Sequence, residues 1–337
     1  MALILFGQSG SKRQIYFAKA CQAAGVPLRF FDIEAEWEQG LAALQPGDRL
    51  KIDPPRWTDS RIAALPPLIK NYYQKLEELS RRGKEQGLSF LNTPAAIGDT
   101  LDKRLCKRRL LSAGIAATPL LEFSGGGFAA LISYLRERRI FQVFIKSNFG
   151  SGAAGVLALK LHPQRAGYTA QTAMLEENGE YFNTKKLRTI TDTAVIQKIA
   201  DFLLAGDVLV EQWVPKAAQN GVVYDLRVMY QFGRVDFIQP RGARGGAITN
   251  LHLNNLPLSL ADVALPAGIK EEIANLCGRA CALFPGLRSA GFDILLTKAG
   301  KLMIIEINAQ GDLLYQDIYA ENRIYRRQVQ ELEVWKD

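Results

Sequence analysis

The chain has 337 residues, 48% of them hydrophobic and 23% charged, with a formal net charge of +8. That length accommodates two or three domains with cores of their own, and the composition is that of a folded globular protein. No stretch reaches the ~18 apolar residues of a membrane span, and the first residues lack the basic segment of a secretory signal, so a cytoplasmic protein is expected.

The first segment reads as an α/β unit. Ala2 to Phe6 is a short buried strand, Gly7 to Gly10 a turn, Lys12 to Ala24 a helix and Leu28 to Asp32 a second strand. Proline pairs at 54–55 and 66–67 interrupt the pattern before a long helix, Leu68 to Gln86, and Phe90 to Pro94 marks a boundary. Asp99 to Ala113 is read as one amphipathic helix ended by Gly114, followed by a helix near Ala129 to Arg138. Asp192 to Leu204 is helical, and strands follow at Val208 to Val214, Tyr224 to Gln231 and Arg234 to Gln239. A helix at Lys270 to Leu283 and two further strands come next, and a polar helix over 315–332 closes the pattern.

Four cysteines (Cys21, Cys106, Cys277, Cys281) show no ligand spacing; Cys277 and Cys281 share a helix face. With only His162 and His252, a zinc site is not expected. Basic residues are densest at Lys103, Arg104, Lys107, Arg108 and Arg109, without interleaved aromatics. A solvated helix face explains that cluster better than nucleic acid does. An anionic small substrate also fits the charge balance.

Two segments carry chemistry. Gly150, Gly152 and Gly155 spell G-x-G-x-x-G, but a dinucleotide fingerprint must open a helix. Here the glycines lie between two strand-like runs, Gln142 to Lys146 and Val156 to Lys160. A strand–loop–strand hairpin with a lysine at its mouth suits backbone amides folded over a polyphosphate, and ATP is the expected ligand. The second segment runs from Gly291 to Asn308. If Ala299-Gly300 is a two-residue hairpin turn, pairing partners sum to 599, so Asp293 faces Glu306 and Asn308 shares their side. Opposed carboxylates repel unless something lies between them. An all-oxygen set of Asp293, Glu306 and Asn308 is suited to Mg²⁺, with Mn²⁺ as an alternative.

The ordered set of an Asp102-Lys103 helix, Lys146 with its glycine loop, the Val210-Glu211 strand end and Asp293…Glu306-Ile307-Asn308 resembles the ATP-grasp superfamily, in the branch of glutathione synthetase and ribosomal-protein glutamate ligase. The resemblance implies an α/β fold with an N-terminal pre-domain over 1–92 and an ATP-grasp domain over 93–337. The latter divides into α+β lobes at 93–210 and 211–337 that clasp ATP. It makes Lys103 and Lys146 the lysines that reach ATP, Ser151, Gly152 and Gly155 the phosphate cover, and Glu211 the acceptor for the adenine amino group. Gln212, Trp213 and Val214 become the hinge backbone beside the base. Asp225 would contact ribose, Arg227 would face the reacting site, and Arg241 would lie against the γ-phosphate; Arg244 is read as solvated. Three departures stand out: Lys146-Ser147 for Lys-Pro, the segment from Ile248 to Asn255 in place of a basic and Gly-Gly substrate loop, and Gly311-Asp312 for Pro-Gly.

The implied activity is ATP-dependent ligation of a carboxylate to an amine or thiol through an acyl phosphate. The substrate would be an amino acid, peptide or other small molecule. A small-molecule kinase on the same clasp and a non-catalytic ATP-binding protein stay open. The absence of H-R-D and D-F-G disfavours a protein kinase, and the strand after Gly155 disfavours a Rossmann dehydrogenase.

Overall fold

A computed structural model describes residues 2–150, 154–164, 167–249, 256–263 and 265–334, which build three sheets. In the first, β1 (Leu3–Gly7) is buried along its length. It is followed by α1 (Lys12–Ala24), β2 (Leu28–Asp32), α2 (Trp37–Ala42), β3 (Arg49–Ile52), α3 (Leu65–Gln86) and β4 (Ser89–Phe90). The strands run parallel in the order β2-β1-β3-β4, as expected where both faces are covered. The Ser11 hydroxyl caps α1 by accepting from the Gln14 amide, and Gly25 closes it in the left-handed region at φ 69°. The long helix begins at Leu65, earlier than the proline pair suggests. Pro66 and Pro67 sit in its first turn, where a missing N–H costs nothing.

The single helix expected over 99–113 is two, α4 (Pro94–Leu101) and α5 (Lys103–Ser112). Asp102 breaks it: at ψ 95° its carboxylate accepts from the Leu105 amide and caps α5. The second sheet comprises β5 (Leu120–Leu121), α6 (Phe128–Glu137), β6 (Gln142–Ser147), β7 (Val156–Leu161), β8 (Tyr168–Glu177), β9 (Glu180–Ile190), α7 (Thr193–Leu204) and β10 (Val208–Gln212), with strand order β5-β10-β6-β7-β8-β9. Its glycine segment joins antiparallel β6 and β7, with Lys146 opposite Val156. Asn178 and Gly179, at φ 53° and 80°, form the two-residue turn between β8 and β9. Helices α6 and α7 cover one face through Leu131, Leu135, Ile196 and Leu203.

The third sheet contains β11 (Ala218–Gln219), β12 (Val222–Gln231), β13 (Arg234–Arg244), β14 (Leu256–Pro257), then, after α8 (Ile269–Cys281), β15 (Ser289–Leu296) and β16 (Leu302–Asn308). The order is β14-β13-β12-β15-β16, with β11 paired to β12. Strand alternation sends Tyr224, Leu226 and Val228 into a core shared with α8, and Asp225 and Arg227 to the other face.

The closing polar helix is instead α9 (Tyr315–Ile318) and α10 (Arg323–Val334), broken at Asn322, whose φ is 53°. Ile324, Tyr325, Val329 and Leu332 are fully buried against α1 and β1. Four apolar positions on one stripe bury a helix that its overall polarity disguises. All four cysteines are free. Among the described residues, no helix is long and apolar enough to cross a membrane.

Candidate functional site

The lysine side of the site begins on β6 and β10. Their register sets Phe144 opposite Glu211 and Lys146 opposite Leu209, so Lys146 and Glu211 share a face. Lys146 Nζ meets Glu211 Oε2 at 2.6 Å. Lys107, one turn beyond Lys103 on α5, reaches Glu211 Oε1 at 3.2 Å and donates to Thr118 Oγ1 and to the Ile305 carbonyl, each at 2.7 Å. Burial pushes the Glu211 carboxyl up, but Lys107 and Lys146 outweigh it and hold the group below the ordinary range. Lys107 is depressed chiefly by burial, against the pull of Glu211, and Lys103 chiefly by burial, against the pull of Glu306.

Lys103 Nζ donates to the Gly150 carbonyl at 2.6 Å and lies 3.9 Å from Glu306 Oε1. Buried Asn148 ties the loop mouth to α5. Its Oδ1 accepts from the Arg104 amide at 2.8 Å, and its Nδ2 donates to Asp207 at 3.0 Å. Gly155 sits at φ 64°, where a Cβ would come within 2.9 Å of Ser147 Cβ.

The third sheet supplies a row of alternating charges. Register places Asp225 opposite Arg241, Arg227 opposite Asp293, and Asp293 opposite Glu306. Arg241 Nε donates to Asp225 Oδ1 at 2.8 Å and its Nη2 lies 3.1 Å from Asp293 Oδ2, while Arg227 Nη1 donates to Asp293 Oδ1 at 2.7 Å. Lys216 Nζ donates to Asp225 at 2.8 Å and to Thr249 Oγ1 at 2.6 Å, and Thr249 Oγ1 also donates to Asp225. Burial would raise both aspartates; Arg241 with Lys216 at Asp225, and Arg241 with Arg227 at Asp293, hold them low.

Asp293 does face Glu306, but not through the expected turn. Thr297 N donates to the Lys301 carbonyl, and Gly300, at φ 77°, ends a three-residue loop. Pairs beside the loop, such as Ile294 with Ile304, sum to 598. A bulge between Asp293 and Ile294 on the register moves the sum to 599 at Glu306. Among the described residues, Glu306 engages only Lys103, and Asn308 Oδ1 accepts from the Gln310 amide at 2.9 Å. No three His, Cys, Asp or Glu side chains converge among the described residues. Glu306 and Asn308 offer oxygen atoms of the kind a hard cation takes, whereas both Asp293 oxygens are held by Arg227 and Arg241.

No family model and no curated protein matches this sequence. Solved structures do. The ATP-grasp ligase PsnB, complexed with a minimal precursor, superposes with a TM-score of 0.61 at 14% identity, over 99% of this chain and 98% of its own. The D-cycloserine synthetase DcsG gives 0.63 at 13% identity over 98% and 100%. The macrocyclase MdnC of Microcystis aeruginosa MRC, bound with precursor peptide MdnA, gives 0.60 at 14% identity over 98% of each chain. The chain has the ATP-grasp fold.

Within that fold, Lys103, Lys146, Glu211 and Glu306 line one cleft, together with Lys107 and Ile305. Gln212 and Trp213 follow directly, with amides already donating to the carbonyls of Pro119 and Gln142, and Val214 comes next. Asp225 is buried under three donors with which a ribose contact would compete. Ser151 and Gly152 lie outside the described residues, as does the loop from Asn250 to Asn255. Ile248, in place of a basic residue, is buried beside Ala158 and Ala173 of the second sheet. The solvated face expected of the basic cluster holds for Arg108, which pairs with Glu122 at the surface, but not for buried Lys107. Lys107, Lys216, Thr249 and Asn148 are absent from the sequence-derived site. The i,i+4 spacing from Lys103 is a signal for Lys107, because it puts both amines on one helix face.

Proposed function

We propose that the chain is an ATP-dependent ligase that joins a carboxylate to an amine or thiol through an acyl phosphate. The observation that carries this reading is the convergence of Lys103, Lys146, Glu211 and Glu306 on one cleft between the second and third sheets. The ligases named above support it by shared fold. In the first step a carboxylate oxygen of the substrate attacks the γ-phosphorus and the bond to the bridging oxygen breaks, releasing ADP. In the second an amine attacks the acyl carbon, phosphate departs, and the nitrogen loses its proton to solvent.

Lys103 and Lys146 neutralise phosphate oxygens as mobile point charges. Arg241 and Arg227, fixed by Asp225 and Asp293, present guanidinium groups preorganised for charge that develops on transfer. Glu306, Asn308 and Asp293 would hold Mg²⁺, which supplies charge neutralisation at the phosphates. We take residues 1–92 as the pre-domain, 93–210 and 211–337 as the two lobes, and the cytoplasm, a reducing compartment, as the setting for four free cysteines.

The test is ADP release from ATP and Mg²⁺ in the presence of pooled acids with amines and peptides, with products identified by mass spectrometry. Oxygen-18 passing from the substrate carboxylate to phosphate supports the acyl phosphate. A stable phosphorylated product would make the chain a kinase. No stimulation of ADP release by any pool would refute the ligase reading.

A further inference from the structure

A larger cleft, about 220 Å³, opens between the first sheet and the clasp. The first-sheet side contributes Arg13, Pro54 and Trp57, and the clasp side contributes Lys103, Glu306 and Asn308. Its volume suits a ligand smaller than the drug-sized molecules that fill pockets of about 300–1,000 Å³. It shares Lys103 and Glu306 with the first cleft, so an acid long enough to span it can offer one end to that side.

Arg13 is the cation on the far side, and Asp312 holds it there. The Arg13 Nη1 pairs with Asp312 Oδ1, whose other oxygen lies 2.9 Å from Lys51 Nζ and accepts from Gln328 at 3.3 Å. Lys51 also pairs with Asp53. Burial pushes the Asp53 carboxyl above its ordinary value, and its Oδ2 accepts no hydrogen bond among the described residues. Burial would raise the Asp312 carboxyl, but Lys51 and Arg13 both bear on it and together hold it below the ordinary range. Arg13 is 18% exposed, its Nη1 is held by Asp312 and it also faces the Tyr325 hydroxyl, which leaves part of its five-donor fork for an incoming carboxylate.

We propose that the cleft takes a two-ended acid: one carboxylate offered to the Lys103–Glu306 side for activation, the other gripped by Arg13, with an apolar body against Trp57 and Pro54. This rests on the ligase reading for the fate of the first carboxylate; the grip of the second is independent of it. A dicarboxylate and a short peptide that carries an acidic side chain as well as a free C-terminus share this chemistry.

Calorimetry of the full chain without nucleotide tests the grip. Glutarate is compared with its monoamide, and Glu-Ala with its C-terminal amide. The free acid of at least one pair should bind about tenfold tighter than its amide, as loss of a charge-assisted fork predicts. The pair showing the preference identifies the dicarboxylate or the peptide. Arg13→Lys, which keeps charge but loses the fork, should abolish the preference and leave the Kd for ATP unchanged. If that variant folds poorly, quenching of Trp57 fluorescence in the wild type, lost in Trp57→Phe, reports occupancy instead. Equal binding of acid and amide in both pairs, a preference that survives Arg13→Lys, or quenching that survives Trp57→Phe overturns the proposal. A preference that persists while no acid stimulates ADP release refutes the ligase reading alone.

Discussion

The Asp225–Lys216 pair yields a double-mutant cycle with a definite sign. Both side chains are deep, 3% and 11% exposed, with Nζ and Oδ2 2.8 Å apart. At an effective dielectric of about 20 the attraction is about 6 kcal/mol, most of it offset by desolvation of two ions. Asp225→Asn leaves Lys216 buried without its counter-charge and weakens the hold on Arg241, so a loss of about 3 kcal/mol is expected. Lys216→Met removes one of three donors to Asp225, which keeps Arg241 and Thr249, so about 1–2 kcal/mol is expected. The double variant carries no orphaned charge from this pair, and its loss should fall short of the sum by about 1–3 kcal/mol. Urea unfolding at pH 7 measures all four corners. The acid limb supplies a second readout. Asp225 is held well below the ordinary carboxylate range, so an unfolded chain takes up a proton below pH about 4 that the folded chain refuses. Wild-type stability should fall as pH drops through that region, and less steeply for both variants that lack the Asp225 carboxylate. Additivity within about 0.5 kcal/mol at pH 7, with parallel acid limbs for wild type and Asp225→Asn, would refute the buried ion pair.

Glu306→Gln should leave the melting temperature unchanged, because that side chain is 35% exposed and its single ion pair spans 3.9 Å. Mg²⁺-dependent ADP release should drop about 100-fold or more, and retained turnover would remove Glu306 from the cation site. Gly155→Ala forces a Cβ into the left-handed region against Ser147 and should cost about 1–2 kcal/mol in unfolding free energy. A rise in KM for ATP should accompany it, and an unchanged melting temperature would contradict the backbone assignment. Asp312→Asn should flatten the acid-induced loss of stability between pH about 4 and about 2. Burial raises that carboxyl, but Lys51 and Arg13 hold it at about 2, so its contribution is complete above pH 4 and vanishes as pH falls past the folded value. Identical acid limbs for variant and wild type would rule out the Arg13–Asp312–Lys51 cluster.

Local signals made much of the fold legible. The helix over Lys12–Ala24 and the strand over Leu28–Asp32 follow from a Ser cap, a closing glycine and a short apolar run. The β8–β9 hairpin had an equally plain signal in Asn178-Gly179, flanked by strands too polar to read as buried. Elements failed where one side chain redirects the backbone, as Asp102 does between α4 and α5, or where a narrow apolar stripe carries a helix, as in α10. In the site, Lys103 and Lys146 were visible in their motifs. Lys216 and Thr249 were not, because Asp225 gathers them from 9 and 24 residues away only once the third sheet has formed.

The carboxylate hairpin shows how a correct pairing can come from a wrong turn. A two-residue turn at Ala299-Gly300 gives partners that sum to 599 throughout; the real three-residue loop gives 598 next to it. Continued unbroken, that register would set Asp293 against Ile305 and swing Glu306 onto the core face with Ile304. The bulge at Ile305 prevents this by turning both Ile305 and Glu306 partly outward, so that Ile304 and Ile307 both stay in the core. The sequence holds the trace of it. Alternation counted forward from Leu302 buries Ile304 and Glu306, whereas alternation counted back from Ile307 buries Ile305 and Met303. The two phases cannot both hold in Leu-Met-Ile-Ile-Glu-Ile-Asn, and one extra residue between Ile304 and Ile307 reconciles them. A mismatch of phase immediately before an acidic residue is therefore a signal for a bulge that re-aims a carboxylate. Here it places Glu306 beside Lys103 rather than in the hydrophobic core.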